Sequence, residues 1–533
     1  MANFSINSSR TKSGGKTQQH HVLCYIRSGN KFLRDHVDRK RSLRSIPGPF
    51  LAKFSNTWVA YHARQGQKFA AVDRAHRKYG PLVRIGYNHV SIADERGIQT
   101  VYAHGNGFLK DHFYEAFVSG VPGVFNTRDR VEHTRKRKIV AHAFSPGAVA
   151  AFETHMAENL HRWVTQLDRI AAAPAPDGYA RVNMMPWCTY IAFDIIGDLA
   201  FGAPFGMVEK GRDECEAQLT PNGPITLAAG AETLNRRGEV SSTLGLLLPL
   251  KPYAKYLPDP FFSKGLHAIQ TLHGIASIAV AKRLDAAEKG LPKEKQRHDI
   301  LDMLVRSKGP DGNPMQRDEL TSEALTQLIA GSDTVSNTSC AIIYWILHGE
   351  RAAPGTILPR LQKELDTAIP NDNTIATHAQ VKSLPFLHRC IDEGMRIHST
   401  SALGLPRIVT SPQGFTFTSA STASTHFPAG TVLSVPSYTV HHSASIWGPD
   451  VETFNPDRFL PDRLTASQKM AFNPFSYGPR ACVGQNVAGM ELGLIVGTLF
   501  RRYEMELRQD GLASMEGFSK KPESCWVGIR RRV

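Results

Sequence analysis

The sequence predicts a mainly α-helical protein with small β-sheets toward its two ends. Three observations lead there. Long stretches between about 130 and 400 repeat apolar residues every three or four positions, the period of a helix with one buried face. Short strand-like runs are confined to the neighbourhoods of 82–92 and 406–440. The 533 residues are 41% hydrophobic and 21% charged, enough for a substantial core and with no compositional sign of collagen, coiled coil or wholesale disorder.

Taken in order, residues 1–45 are rich in Ser, Lys and Arg, with a basic cluster at Lys31, Arg34, Arg39, Lys40, Arg41 and Arg44. The plain expectation is a flexible solvated segment. The sharper one is a patch facing anionic lipid, where each cation contributes about 1 kcal/mol. Ile46-Pro47-Gly48-Pro49 cannot continue a helix and marks the start of one large domain over 46–533. Leu82–Ile85 and His89–Ile92 read as paired strands across Gly86-Tyr87-Asn88. Helices are expected over Glu158–Ile170, Trp187–Leu199, Leu266–Glu288, Asp318–His348 and Leu358–Thr367. Thr431–Val435 reads as a strand, and a last helix runs from about Val487 to Arg502. No internal repeat is present.

The net charge of +15 points to an anionic membrane surface, an acidic protein partner or nucleic acid. Without zinc-finger spacing, an RNA-binding signature or basic-aromatic interleaving, nucleic acid is the weakest of these. Seven scattered cysteines with no CxxC pair argue against a disulfide framework and for a reducing compartment. No apolar run reaches the roughly 18 residues of a membrane-crossing helix, and the first twenty residues are too polar for a signal peptide.

One of those cysteines stands apart. In Phe475-Ser476-Tyr477-Gly478-Pro479-Arg480-Ala481-Cys482-Val483-Gly484, the glycines Gly478 and Gly484 permit turns and close approach that a Cβ would block. Arg480 supplies a fixed cation suited to a carboxylate. Cys482 lies just before a predicted helix, whose N-terminus favours thiolate. Alone, Cys482 would be one more buried thiol. Together these positions resemble the haem-binding loop of the cytochrome P450 family. The resemblance spans roughly 46–533, with its motifs in the family's order, and implies that fold as a single haem-binding domain.

Further motifs carry the same resemblance. Ala330-Gly331-Ser332-Asp333-Thr334 interrupts a long helical stretch with poor helix formers. Taken alone it is a tolerated kink. Chemically, a glycine makes room beside a ligand, Thr334 offers a hydroxyl to the helix or to bound oxygen, and Asp333 carries protons inward. Asp333 and Thr334 look like the family's acid–alcohol pair. Glu393 and Arg396, three apart on one helical face, would by themselves be a surface salt bridge. By resemblance they join Arg458, in Phe454-Asn455-Pro456-Asp457-Arg458-Phe459, as a buried triad bracing the Cys482 loop. His133 and Arg137 match the helix that holds haem propionates, and Arg407 is a further propionate candidate. Lys136 and Lys138 read as a solvated basic face, or as cations meeting an acidic electron donor.

The resemblance implies haem b ligated by Cys482, dioxygen as co-substrate, and insertion of one oxygen atom into an aromatic substrate. No dinucleotide-binding fingerprint or flavin-type domain is seen, so electrons are expected from another protein, which the resemblance implies is an NADPH-dependent flavoprotein reductase. Stretches such as Gly105–Lys110, Phe125–Lys138 and Asn235–Leu244 are similar to a fungal subfamily, the benzoate para-hydroxylases. That implies a small aromatic carboxylate and conversion of benzoate to 4-hydroxybenzoate. A carboxylate in an apolar pocket needs an anchor, and Arg236 or Arg237 is the candidate, against the bland reading of a surface pair. Other readings are a tailoring monooxygenase of another small aromatic, a haem-thiolate isomerase or dehydratase, and a non-catalytic haem carrier. The expected location is the cytoplasmic face of the endoplasmic reticulum, held peripherally by Leu244–Leu250, Phe261 and Phe262. The alternative is cytoplasmic.

Overall fold

The computed structural model describes residues 43–220, 223–288, 299–307, 314–370 and 375–532. Of the basic cluster expected near the start, all but Arg44 lies outside them.

Among the helices of the described residues are α1 Arg130–Ala143, α2 Pro146–Ala171, α3 Met184–Phe201, α4 Gly230–Leu246, α5 Pro260–Glu288, α6 Arg317–Ala352, α7 Leu358–Ala368, α8 Pro385–His398 and α9 Gln485–Arg502. Their starts follow local chemistry. Asp129 accepts from Glu132 N, Ser145 from Ala148 N and Asn183 from Met185 N, each satisfying an amide that the helix leaves free. Proline opens α2 and α8, where its missing N–H is harmless. Helix α2 begins twelve residues before the expected Glu158, because the Ser145-Pro146 cap outweighs the small residues that follow. Helix α4 was not anticipated, since Gly230, Gly238 and Gly245 blur its periodicity.

At 36 residues, α6 runs about 54 Å at 1.5 Å per residue and is the axis of the molecule. Helices α3, α8 and α9 pack on it, and their shared core includes Trp163, Phe193, Tyr344 and Phe500. Two glycines set the approach. A Cβ on Gly331 would lie 2.7 Å from the Ile196 side chain of α3, and one on Gly394 would lie 2.6 Å from Ile342 of α6. Gly331 thus makes room for a neighbouring helix, not for a ligand as expected.

The main sheet has five strands: β1 Leu82–Gly86, β2 His89–Ile92, β3 Leu109–Lys110, β4 Arg407–Ile408 and β5 Val432–Ser434, in the order β1-β2-β5-β4-β3. The expected β1–β2 pair is antiparallel, with Leu82 opposite Ile92. Only β2 and β5 run parallel. In the last pair Lys110 lies directly opposite Arg407. A second sheet places Trp526–Arg531 between Tyr503–Leu507 and Ala180–Asn183. Its edge feeds α3, where Met184 N donates to Cys525 O at 2.7 Å. A short hairpin, Ser514–Glu516 with Lys520–Pro522, presents its turn toward α4.

Gly394→Ala tests the α6–α8 contact. Overpacking of this kind costs about 1–3 kcal/mol, so the variant should unfold at lower temperature than the parent at one scan rate. An unchanged midpoint would mean that the helices separate freely there.

Candidate functional site

The Cys482 loop is closed by its own backbone. Ser476 N donates to Asn473 O and Cys482 N to Phe475 O, both at 2.9 Å. Ser476 and Gly478 take φ of 63° and 74°, the left-handed region. At Gly478 a Cβ would lie 1.9 Å from Tyr102 O, so only glycine fits. Gly484 differs from expectation: its φ is −87° and a Cβ would meet the Phe144 ring at an ordinary 3.7 Å, so no protein atom demands glycine there. The Cys482 side chain is accessible although protein surrounds it, as in a side chain lining a cavity. Burial pushes its thiol up, against the Gly484 N–H and the Arg137 charge. Desolvation therefore outweighs the N-terminal effect expected to favour thiolate.

Mid-way along α6, Ala330 is exposed and Thr334 partly so, one turn apart on a helix otherwise largely buried here. Thr334 Oγ1 donates to Ala330 O at 2.7 Å. Asp333 turns elsewhere. Its carboxylate accepts from Asn337 Nδ2 at 2.9 Å, with Ser519 and Lys521 of the hairpin beside it. Burial raises its pKa, and these three neighbours oppose the shift.

A concentration of positive charge lies beside the loop. Lys110 and Arg407 face each other across β3 and β4, an arrangement that is destabilising between like charges. Arg480 donates to Thr127 O at 2.6 Å and Arg128 O at 3.2 Å, Arg137 to Ala481 O at 2.6 Å, and Arg407 to the Tyr114 hydroxyl at 3.1 Å. Burial, then the surrounding cations, depress Lys110 well below its usual range and take His133 to about 3 and Arg480 to about 10. Among the described residues no carboxylate forms a salt bridge with these side chains. Their chemistry fits a dianion such as the two propionates of haem. Lys110 was missed by sequence reasoning, because only the pairing of two-residue strands reveals it.

Glu393, Arg396 and Arg458 come together. Arg396 grips both oxygens of Glu393, at 2.7 and 2.8 Å, and Arg458 reaches Oε1 at 3.3 Å. Arg396 and Glu393 are fully buried. Arg396 also donates to His441 O at 2.7 Å, and His441 Nε2 accepts from Asn473 N, where the cysteine loop begins. Burial first, then Arg396, lowers His441 to about 3, which keeps it neutral and an acceptor. Sequence reasoning missed His441, which has no motif of its own.

Two basic residues correct the expectations. Lys136 is buried, not solvated, and pairs with Glu319 and, at 3.5 Å, with Glu323 of α6; Lys138 is exposed. Arg236 and Arg237 do not behave alike. Arg236 makes a half-exposed 3.0 Å salt bridge to Glu239, whereas Arg237 is buried and donates to Phe117 O at 2.7 Å.

The Cytochrome P450 family model matches residues 47–525. Benzoate 4-monooxygenase bphA of Aspergillus niger is 52% identical over 498 residues, covering 93% of this chain and 94% of its own. Cytochrome P450 monooxygenase cypX of Dothistroma septosporum is 29% identical over 91% of this chain and 87% of its own. Monooxygenase AKT7 of Alternaria alternata is 28% identical over 89% and 86%.

Truncating Glu393 to Ala leaves the buried Arg396 guanidinium without its carboxylate, while Arg458 keeps Asp450 at 2.9 Å. Removing one partner of such a pair costs about 3–5 kcal/mol. Denaturant titration should show a large fall in midpoint; a shift within error would remove the triad from the stability of this core.

Proposed function

The chain belongs to the cytochrome P450 family, and from that premise we propose that it is a benzoate 4-monooxygenase in which Cys482 would ligate the haem iron. In the reaction the C4–H of benzoate becomes C4–OH. One atom of dioxygen enters 4-hydroxybenzoate and the other leaves as water, with two electrons and two protons consumed. The 52% identity to an Aspergillus benzoate 4-monooxygenase across nearly all of both chains carries this reading.

Haem held by a cysteine thiolate supplies dioxygen activation, the thiolate favouring O–O cleavage. Phe475, Gly478 and Gly484 shape the loop, and Cys482 would hold the haem iron as a thiolate. Arg137, Arg407, Arg480, His133 and Lys110 would receive the propionates. Glu393, Arg396 and Arg458, through His441 and Asn473, hold the loop in place. Thr334 offers its hydroxyl to the cavity. Asp333, raised by burial, retains a proton to higher pH than an ordinary carboxyl and passes it inward.

Electrons come from a separate NADPH-dependent flavoprotein reductase. The protein sits on the cytoplasmic face of the endoplasmic reticulum. Among the described residues no helix is long and apolar enough to cross a membrane. The surface expected to touch lipid needs correction, since Leu244 and Phe261 are buried. Leu250 of the expected surface is exposed, and Phe50, Leu51, Phe54, Tyr61, Tyr253 and Tyr256 are further exposed apolar side chains. The two stretches are tied by Asn56 Nδ2 donating to Leu246 O at 3.0 Å and by the 3.1 Å Arg64–Asp259 bridge. Lys255 beside Tyr256 adds positive charge.

Benzoate added to the purified ferric protein should shift the Soret band from low to high spin, and reconstitution with reductase and NADPH should yield 4-hydroxybenzoate. A thiolate-type spectrum that ignores benzoate would move the substrate to another small aromatic. In Thr334→Ala, product formed per NADPH should fall roughly ten-fold or more, and tight coupling in that variant would remove Thr334 from proton delivery. For the membrane surface, Phe50→Asp combined with Leu51→Asp should cut flotation with anionic vesicles; equal flotation would place the contact elsewhere.

A further inference from the structure

Helix α4 presses one face against aromatic side chains. A Cβ on Gly238 would lie 3.3 Å from Phe518 N, and one on Gly245 would lie 2.5 Å from the Phe113 ring. Arg237 and Ser241, four apart, share a side of the helix with these glycines. Arg237 is 5% exposed and Ser241 0%.

Both are incompletely satisfied. Arg237 spends one N–H on Phe117 O, but its Nε has no hydrogen-bond partner among the described residues, and neither does Ser241 Oγ. Asn126 also donates to Phe117 O, at 3.1 Å, and its Oδ1 is likewise unpartnered. A buried guanidinium with no carboxylate is a costly arrangement, retained where an anion completes it. An arginine fork matches a carboxylate, and a serine hydroxyl adds a third donor.

Aromatic rings pack beside this end. Phe117, Phe125 and Phe518 meet edge to face, with centroids 5.2 Å apart for Phe117–Phe518 and Phe125–Phe518 and 6.2 Å for Phe117–Phe125. Lys110, of the cation group beside Cys482, lies 4.2 Å from the Phe125 centroid. The hairpin that supplies Phe518 also supplies Ser519, which bonds Asp333. The aromatic trio thus touches both groups: the Arg237 guanidinium lies 6.0 Å from the Phe117 centroid, and Lys110 lies against Phe125.

We propose that Arg237, with Ser241, anchors the substrate carboxylate and thereby turns the para carbon of the ring toward the reacting centre. The assignment rests on the benzoate reading and goes further, naming the residue that selects charge and position. Arg236 is excluded from this role, since Glu239 neutralises it at the surface.

The test compares haem-loaded wild type, Arg237→Gln, Arg237→Lys and Ser241→Ala, each first checked for the thiolate signature of its reduced carbon monoxide complex. Each is titrated with benzoate and with benzamide, a neutral ring of the same shape, and the spin shift is followed. Arg237→Gln should lose benzoate affinity roughly 10- to 100-fold while holding benzamide at least as well as the parent does. Arg237→Lys should recover part of the loss, and Ser241→Ala should weaken benzoate several-fold. Equal weakening of both ligands would assign Arg237 to packing and overturn the anchor, as would unchanged benzoate affinity in Arg237→Gln. If that variant fails to load haem, unchanged benzoate affinity in Ser241→Ala overturns the two-residue anchor. Wild type that ignores benzoate but responds to another aromatic would sink the benzoate reading, and the anchor with it.

Discussion

Positive charge packed against positive charge is the constraint on which the site depends. Lys110 and Arg407 oppose each other across two-residue strands, and Arg480 and Arg137 crowd the same region with no described carboxylate to balance them. A sheet register that places two cations face to face works against the fold unless an anion is bound. The folded state is therefore tuned to its cofactor, and a dianion seated there stabilises the native chain by mass action.

The opposite arrangement holds the loop from behind. Glu393 is a buried acid shared between two buried bases, so its charge is spent inside the protein. Arg396 passes from Glu393 to the His441 carbonyl, and neutral His441 accepts from Asn473 at the mouth of the cysteine loop. Each link needs the one before it in the right ionisation state. Glycine at 478 completes the constraint, because Tyr102 O occupies the space any side chain would need. The loop is thus positioned by a carbonyl in front and an ion-pair network behind.

Legibility in the sequence followed the range of the interaction. The helices α2, α3, α5, α6 and α7 were visible because burial on one face leaves a local period. The β1–β2 pair was visible because its turn is local too. The residues of the cysteine loop, the Asp333–Thr334 step and the Glu393–Arg396 pair stand as short motifs. What stayed hidden was set by distant partners. Lys136 looks solvated until Glu319 and Glu323 arrive from α6. Lys110 gains meaning only opposite Arg407, and His441 only beneath Arg396. Gly331 read as space for a ligand, whereas it is Ile196 of another helix that fills the space. Arg236 and Arg237 are adjacent in sequence, yet one turns to Glu239 and the other inward.

The small sheet built from Ala180–Asn183, Tyr503–Leu507 and Trp526–Arg531 has a consequence for biosynthesis. Its middle strand, Trp526–Arg531, is translated after both of its partners, and long after the first. At 5–20 residues per second, Ala180–Asn183 waits on the order of tens of seconds for its neighbour. Until then Met184 N, at the head of α3, lacks the Cys525 carbonyl that receives it. The cysteine loop is also made in that interval, after α3 and α6 but before the strand that ties the chain's far end to its middle. The interior thus stays unsealed while its thiol emerges, an interval in which a bulky planar cofactor can enter before the last strand closes the body.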